Sequence, residues 1–118
     1  MIVEDDPFLS LLFAHALQDI NYETEVITDG RYALERLRAA PPALLLLDLH
    51  LPFLSGADIL EAIKQDGRFA HTKIMLVTAD IPMSMQLHDE ADHTVHKPVD
   101  IFHLQRLANR LKPPLEDL

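Results

Sequence analysis

Two kinds of apolar pattern alternate along the chain. Five short runs rich in β-forming or aliphatic residues predict strands, at Met1–Glu4, Tyr22–Ile27, Ala43–Leu47, Ile74–Val77 and Thr94–His96. Between and after them, apolar residues recur at helical spacing and predict helices over residues 7–20, around 33–37, around 59–63 and over 101–111. Segment 81–90 is weakly helical at best, because a proline opens it and few of its residues are apolar.

The run Ala43–Leu47 is wholly apolar and is bounded by prolines and an aspartate. Such a run is typical of a strand that is buried on both faces, and this belongs in a parallel sheet covered by helices. A βαβαβαβαβα series also predicts right-handed crossovers, which place helices on both sides of the sheet. The fold class is therefore predicted to be α/β.

Polar and proline residues divide these elements. Asp6 and Pro7 predict the start of the first helix, and Asn21 predicts its end, because asparagine tolerates the left-handed backbone. Asp29 and Gly30 predict a turn, and Leu51–Gly56 predicts a loop. We expect one domain over residues 1–112, with 113–118 as a tail or the start of a linker.

Composition and charge exclude several classes of function. The chain has 118 residues, 48% of them hydrophobic, and this suits one globular domain. It has no cysteine, which rules out disulfides and thiolate metal sites. A net charge of −9 argues against direct nucleic-acid binding. No apolar run approaches the length of about 20 residues that spans a membrane, so no membrane contact is expected.

Polar side chains follow four of the predicted strands. Ligands bind at the carboxyl ends of strands in sheets of this kind, so these residues are expected to meet at one rim. They are Glu4, Asp5 and Asp6 at the end of the first strand, Asp48 at the end of the third, Thr78 at the end of the fourth and Lys97 at the end of the fifth. Clustered carboxylates repel one another and need a cation, and oxygen ligands favour a hard ion such as Mg²⁺. Together with a lysine and a threonine, such a site is suited to phosphoryl transfer to an aspartate.

The sequence resembles the receiver domain of bacterial two-component response regulators over essentially its whole length. Four segments in the family's order carry the resemblance: Ile2–Pro7, Leu46–Pro52 with Ser55–Gly56, Val77–Ala79, and Lys97–Pro98. The family's fold is a doubly wound, flavodoxin-like (βα)5 arrangement with strand order 2-1-3-4-5. Helices one and five would cover one face, and helices two, three and four the other.

The resemblance implies a role for each site residue. Asp48 would be the phosphoacceptor, and Asp5, Asp48 and the backbone carbonyl of His50 would bind Mg²⁺ directly. Glu4 would contact the ion through water. Thr78 and Lys97 would contact the phosphoryl oxygens, and the Lys97–Pro98 peptide bond would be cis.

The resemblance also implies partners and a relay. The phosphodonor would be a phosphohistidine on a sensor histidine kinase or a histidine phosphotransfer protein, in the cytoplasm. The signal would pass through the face formed by helix four, strand five and helix five to an output domain or into a homodimer. Such a domain catalyses its own phosphorylation and dephosphorylation and is not a conventional enzyme.

Three departures from the family pattern bear on function. The first strand is short, and the stretch from Thr78 to Lys97 is a few residues shorter than usual, so helix four should be abbreviated or irregular. Thr94 stands where the family carries a switching Tyr or Phe. His50 and Asp80 should flank the phosphoryl group, and we hypothesise that they set the lifetime of the phosphorylated state.

Two other functions are open at this point. A receiver-like module that is never phosphorylated could act purely through protein contacts, which the abbreviated helix four and Thr94 favour. A small binder of a nucleotide or flavin is the other, although the chain has no glycine-rich phosphate loop. Asp6 and Thr78 could each be simple caps, and Lys97 could be a solvated surface residue.

Overall fold

The computed structural model describes residues 1–113, and its centre is a five-stranded parallel sheet. The strands are β1 (Ile2–Val3), β2 (Val26–Ile27), β3 (Leu44–Asp48), β4 (Lys73–Thr78) and β5 (His93–His96). Their order is β2-β1-β3-β4-β5. The predicted α/β class, parallel pairing and strand order are confirmed.

Within residues 1–113, five α-helices alternate with the strands. They are α1 (Pro7–Gln18), α2 (Gly30–Ala39), α3 (Gly56–Lys64), α4 (Ile81–Leu87) and α5 (Ile101–Arg110), with short 3₁₀ turns at Gly67–Phe69 and His88–Glu90. None of the helices within residues 1–113 is long and apolar enough to cross a bilayer. The tail predicted for 113–118 lies outside the described residues, apart from Pro113.

The two faces of the sheet carry separate hydrophobic cores. On one face, α1 and α5 pack together, with Phe13, Leu17 and Leu104 buried against the sheet. The opposite core combines buried residues of α2 and α3, including Leu37 and Ile59, with partly buried residues of α4. This is the predicted distribution of helices. Both faces of β3 are covered, which explains why its sequence is an uninterrupted apolar run.

Each of the five helices begins with a side-chain cap. The capping residues accept backbone N–H groups of the first turn, and they are Asp6, Asp29, Ser55, Asp80 and Asp100. The prediction of a turn at Asp29–Gly30 is therefore wrong for Gly30. Asp29 is the cap of α2, and Gly30 is already the first residue of this helix. Asn21 has a φ of 71°, as the prediction of a left-handed residue after α1 requires.

Strand β2 is shorter than predicted. Residues Tyr22–Ile27 have strand-like alternation, but the ladder with β1 pairs Ile2 with Val26 and Val3 with Ile27. A strand exists only where a neighbour supplies hydrogen bonds, and β1 is itself two residues long. The extent of β2 is therefore set by its partner rather than by its own sequence.

Helix α4 is brief, in agreement with the expectation that the segment after Thr78 is abbreviated. It covers seven residues and continues as a 3₁₀ turn. Pro82 lies in its first turn, where the missing N–H group costs no helical hydrogen bond. At seven residues, α4 has few internal hydrogen bonds to hold it in place.

Gly56 provides a test of the packing around Asp48. A Cβ atom at residue 56 would lie 2.0 Å from the carbonyl oxygen of Asp48, whereas one at Gly67 would meet nothing within 4 Å. Gly56→Ala should lower the free energy of unfolding by about 1–3 kcal/mol, because the new Cβ would collide with backbone atoms. Backbone atoms cannot move aside as easily as the end of a flexible side chain. Gly67→Ala should leave it unchanged or slightly raised. Urea unfolding measures both, and equal stabilities of the two variants would contradict this packing.

Candidate functional site

Three carboxylates meet where β1 and β3 end. The register of these strands places Val3 beside Leu47, so the residues that follow, Glu4 and Asp48, come side by side. Glu4 is 1% exposed and Asp48 is 5% exposed, whereas Asp5 is open to solvent. One oxygen from each of the three lies within 4.8 Å of the others. The structure thus brings together three of the four acids predicted at these strand ends, and Asp6 is outside the group.

Lys97 reaches these acids from the far side of β4. Its backbone N–H group donates to the carbonyl of Thr78 at 2.9 Å, which fixes the residue at the end of β5. Its Nζ atom lies 2.8 Å from Glu4 Oε1 and donates to Asp48 Oδ2 at 3.0 Å. The Lys97–Pro98 peptide bond is cis, as the resemblance implies. One ammonium group therefore faces two buried carboxylates. It cannot neutralise both of them, so the cluster keeps excess negative charge.

The charges in this cluster perturb one another. Burial raises the pKa of Glu4 to about 7, Lys97 opposes that rise, and Asp48 adds to it. Burial alone would lower the pKa of Lys97, but hydrogen bonds and attraction to Glu4 and Asp48 outweigh it, so the net shift is upward. The site accordingly gains from any further positive charge placed among the acids.

The Asp48 carboxylate is oriented from two directions. Its Oδ2 atom accepts from Lys97, and its Oδ1 atom accepts from the backbone N–H of His50 at 3.0 Å. The residue forms part of the wall of an open cleft of about 520 Å³. The cleft is lined by Glu4, Asp5, Asp6, Pro7, Asp48, His50, Ala79 and Lys97. Asp48 is thus held in place and is also reachable from solvent.

Thr78 does not line this cleft. Its side chain is fully buried, and its hydroxyl accepts from the backbone N–H of Asp80 at 2.9 Å. Asp80 in turn caps α4 by accepting from the backbone N–H of Met83 at 3.0 Å. The hydroxyl is therefore part of the turn that connects β4 to α4, and its predicted contact with a phosphoryl group stays a prediction.

A contact across the rim joins two residues that the sequence analysis placed there separately. His50 Nε2 lies 2.8 Å from Asp80 Oδ2. The pKa of the Asp80 carboxyl is lowered, first by the N–H group of Met83 and then by His50. No spacing rule predicts this pair, because thirty residues and a complete strand separate its members. Asp6, by contrast, accepts from the N–H groups of Phe8 and Leu9 and is a helix cap.

The donor set suits a hard divalent ion. Within residues 1–113, the group of side chains that could hold a metal consists of Glu4, Asp5 and Asp48, and all its ligand atoms are carboxylate oxygens. Oxygen ligands select Mg²⁺ over softer metals. Glu4 Oε1 is buried and, apart from the ion contact with Lys97, makes no hydrogen bond. A buried oxygen with spare acceptor capacity is what a bound cation or its water would use.

The raised pKa of Glu4 makes stability depend on pH. Folded protein keeps the Glu4 proton up to about pH 7, whereas the unfolded chain releases it near the ordinary value of 4.5. The stability that Glu4 contributes is thus fully present below pH 4.5 and is lost as the pH rises through 7. A ¹³C NMR titration of the metal-free protein should give a Glu4 midpoint near 7. Glu25, whose pKa Arg36 lowers, is the internal control, and equal midpoints would refute this.

Known proteins are similar to this chain in sequence. A sequence model of the response regulator receiver domain matches residues 1–109. The DNA-binding response regulator MtrA of Mycolicibacterium smegmatis is 33% identical over 115 residues, which cover 98% of this chain and 49% of MtrA. The sensor histidine kinase TmoS of Ectopseudomonas mendocina is 37% identical over 79 residues, which cover 67% of this chain and 8% of TmoS.

Solved structures agree on the architecture. The chemotaxis response regulator CheY4 of Vibrio cholerae superposes with a TM-score of 0.85 at 24% identity, covering 94% of this chain and 95% of CheY4. The present chain spans about half the length of the curated regulators it matches. From the matched family model, the relatives and the shared fold together, this chain belongs to the response regulator receiver domain family of two-component systems.

Proposed function

We propose that Asp48 accepts a phosphoryl group from a phosphohistidine in a Mg²⁺-dependent reaction. The observation that carries the proposal is the convergence of Glu4, Asp5 and Asp48 within 4.8 Å, with Lys97 donating to the Asp48 carboxylate. The donor would be a sensor histidine kinase or a histidine phosphotransfer protein of the cytoplasm. Membership of the family supports this choice of partner.

Mg²⁺ would be held by Asp5, Asp48 and the backbone carbonyl of His50, with Glu4 contacting it through water. These ligands supply oxygen atoms and excess negative charge, as the ion requires. When bound, the ion would neutralise charge on the phosphoryl oxygens during transfer. The three acids would otherwise repel the incoming phosphoryl group.

The protein's own groups would align and stabilise the transfer. An Asp48 carboxylate oxygen forms the new bond to phosphorus while the phosphorus–nitrogen bond of the phosphohistidine breaks and the imidazole leaves with the bonding electrons. The His50 N–H and the Lys97 ammonium group already fix the carboxylate. Lys97 then moves from the carboxylate to a phosphoryl oxygen, because that oxygen carries more charge. Most of the catalysis is positioning and electrostatic stabilisation.

Thr78 would relay a change at Asp48 to α4 through its hydrogen bond with Asp80. Thr78 lies outside the cleft, so its hydroxyl has to turn toward the cleft before it can donate to a phosphoryl oxygen. This movement pulls on the hydrogen bond that the hydroxyl accepts from the N–H of Asp80, the residue that caps α4. The new charge on Asp48 therefore competes with the turn that positions α4. Ile81 and Met85 expose apolar surface on this helix, at 52% and 68% exposure. That face would bind an output domain or a second copy of the domain.

Phosphorylation of Asp48 can be tested directly with acetyl phosphate. Wild-type protein with Mg²⁺ should gain the mass of one phosphoryl group, and EDTA or Asp48→Asn should abolish the gain. Asp6→Asn is the matched control, because asparagine also caps a helix and Asp6 is outside the three-acid group. No gain by wild type, or an equal gain by Asp48→Asn, would refute the proposal and favour a module that is never phosphorylated.

The His50–Asp80 pair should slow hydrolysis of the phosphorylated state. The pair crosses the rim beside Asp48, so His50→Ala and Asp80→Ala together should speed dephosphorylation by about fivefold. Asp80→Ser separates this effect from loss of the helix cap, because serine can cap α4 but cannot reach His50. Loss of phosphate is followed by mass spectrometry, and an unchanged rate in the double variant would refute the role.

A further inference from the structure

The loop between β3 and α3 contains a strained aromatic residue. Phe53 has a φ of 70°, a left-handed conformation that side chains other than Asn, Asp and Gly rarely adopt. Its neighbours close a tight turn around it, since the N–H of Leu54 donates to the carbonyl of Pro52 at 2.8 Å. The side chain of Phe53 is 76% exposed, so burial in a core does not offset the strain.

Arg31 supplies the contact that holds this ring. The Cζ atom of its guanidinium lies 3.8 Å from the centroid of the Phe53 ring, within the range of a cation–π interaction. The guanidinium is itself fixed, because Nη2 lies 2.7 Å from Asp29 Oδ2 and Nε donates to Asp29 Oδ1 at 3.2 Å. Asp29 is the N-terminal cap of α2. A continuous series of contacts therefore joins the start of α2 to the loop.

Comparison with another arginine on α2 shows what is special about Arg31. Arg36 lies 2.7 Å from Glu25, and the side chain of Arg36 is 55% exposed. Arg31 lies at the same distance from Asp29, and its side chain is equally exposed. The described cation–π contacts of the chain include Arg31 with Phe53 and exclude Arg36. The Arg31 guanidinium therefore covers the Phe53 ring as well as pairing with Asp29, whereas no such ring contact is described for Arg36.

The rest of the loop is attached to the same region. A Cβ atom at Gly30 would lie 2.2 Å from the carbonyl oxygen of Leu54, so loop and helix approach backbone to backbone. At the other end, the N–H of Gly56 donates to the carbonyl of Leu49 at 3.0 Å. His50, between these attachments, donates its N–H group to Asp48. Movement of the loop tip would be transmitted to His50 through two intervening residues.

We propose that Arg31 and Phe53 form a clamp that positions the β3–α3 loop, and with it the N–H and carbonyl of His50, beside the Asp48 carboxylate. This deepens the proposed function and rests on it for the carbonyl's role as a Mg²⁺ ligand. Arg31 and Phe53 are positioning residues, since neither touches Asp48 or the cleft. Without the ring contact, the strained conformation of Phe53 has less to stabilise it, and the loop samples other arrangements.

Hydrogen exchange of the intact, metal-free domain tests the clamp. In Arg31→Ala and Phe53→Leu, the amides of His50 and Leu54 should exchange about twofold to fivefold faster, as expected for loss of an exposed cation–π contact. Phe53→Leu keeps the strained position but removes the ring. Phe53→Tyr keeps the ring and should exchange like wild type, as should Arg36→Ala.

The same variants separate the clamp from a general loosening of α2. Unchanged exchange in Arg31→Ala would overturn the proposal, and equal acceleration in Arg36→Ala would do so too, because Arg36 touches no loop residue through its ion pair. Additive effects of Arg31→Ala and Phe53→Leu in the double variant would also overturn it, since two halves of one contact must be non-additive.

A Mg²⁺ titration then connects the clamp to the site. Arg31→Ala and Phe53→Leu should raise the Mg²⁺ dissociation constant by about the same twofold to fivefold factor, and Arg36→Ala should not. If wild type binds no Mg²⁺, the proposed function fails while the exchange result still decides whether the clamp exists. If wild type binds Mg²⁺ and Arg31→Ala binds it equally well, the clamp does not position the site.

Discussion

Electrostatic repulsion between Glu4, Asp5 and Asp48 is the constraint on which the site depends. Parallel strands end at the same edge, so β1 and β3 bring their following residues together whether or not the charges are compatible. Two of the three carboxylates are buried, where unpaired charge is costly. The fold tolerates them through Lys97 and through the proton that Glu4 retains up to about pH 7. A domain built in this way would gain stability from a bound cation.

Lys97 connects the acid cluster to the ends of β4 and β5. Its ammonium group is tied to Asp48 and Glu4, and its backbone is tied to Thr78 at the end of β4. A change in charge at Asp48 would therefore act on β5 and on the β4–α4 turn at once. Helix α4 is only seven residues long, and its cap Asp80 belongs to that turn, so movement of the turn would reach the helix directly. The site and the face proposed to relay its signal are mechanically continuous.

The parts of the fold that follow from local pattern were predictable. The apolar run at 43–47 predicted β3 to within one residue, because burial on both faces leaves an unmistakable pattern. The alternation at 22–27 overstated β2, because strand length depends on the partner strand. Segment 81–90 was ambiguous in sequence, and it is the shortest α-helix among the described residues.

The site also has residues that were predictable from the sequence and contacts that were not. Strand-end position was enough to select Glu4, Asp5, Asp48 and Lys97, since topology alone brings strand ends together. Contacts made by long side chains across loops were not predictable. His50 meets Asp80 across thirty residues, and Arg31 meets Phe53 across a strand and a loop. Neither pair has a spacing that any regular element imposes, so both depend on the assembled tertiary structure.

The most direct test of the shared cation site uses Mn²⁺ as a paramagnetic substitute for Mg²⁺ in NMR spectra of the whole domain. A shared site should give saturable broadening that is strongest at the amides of residues 4–6 and 48–50, is reversed by excess Mg²⁺ and is lost in Asp5→Asn. Broadening spread over the exposed acids of the surface, or centred away from Asp5 and Asp48, would show that these carboxylates do not bind one ion together.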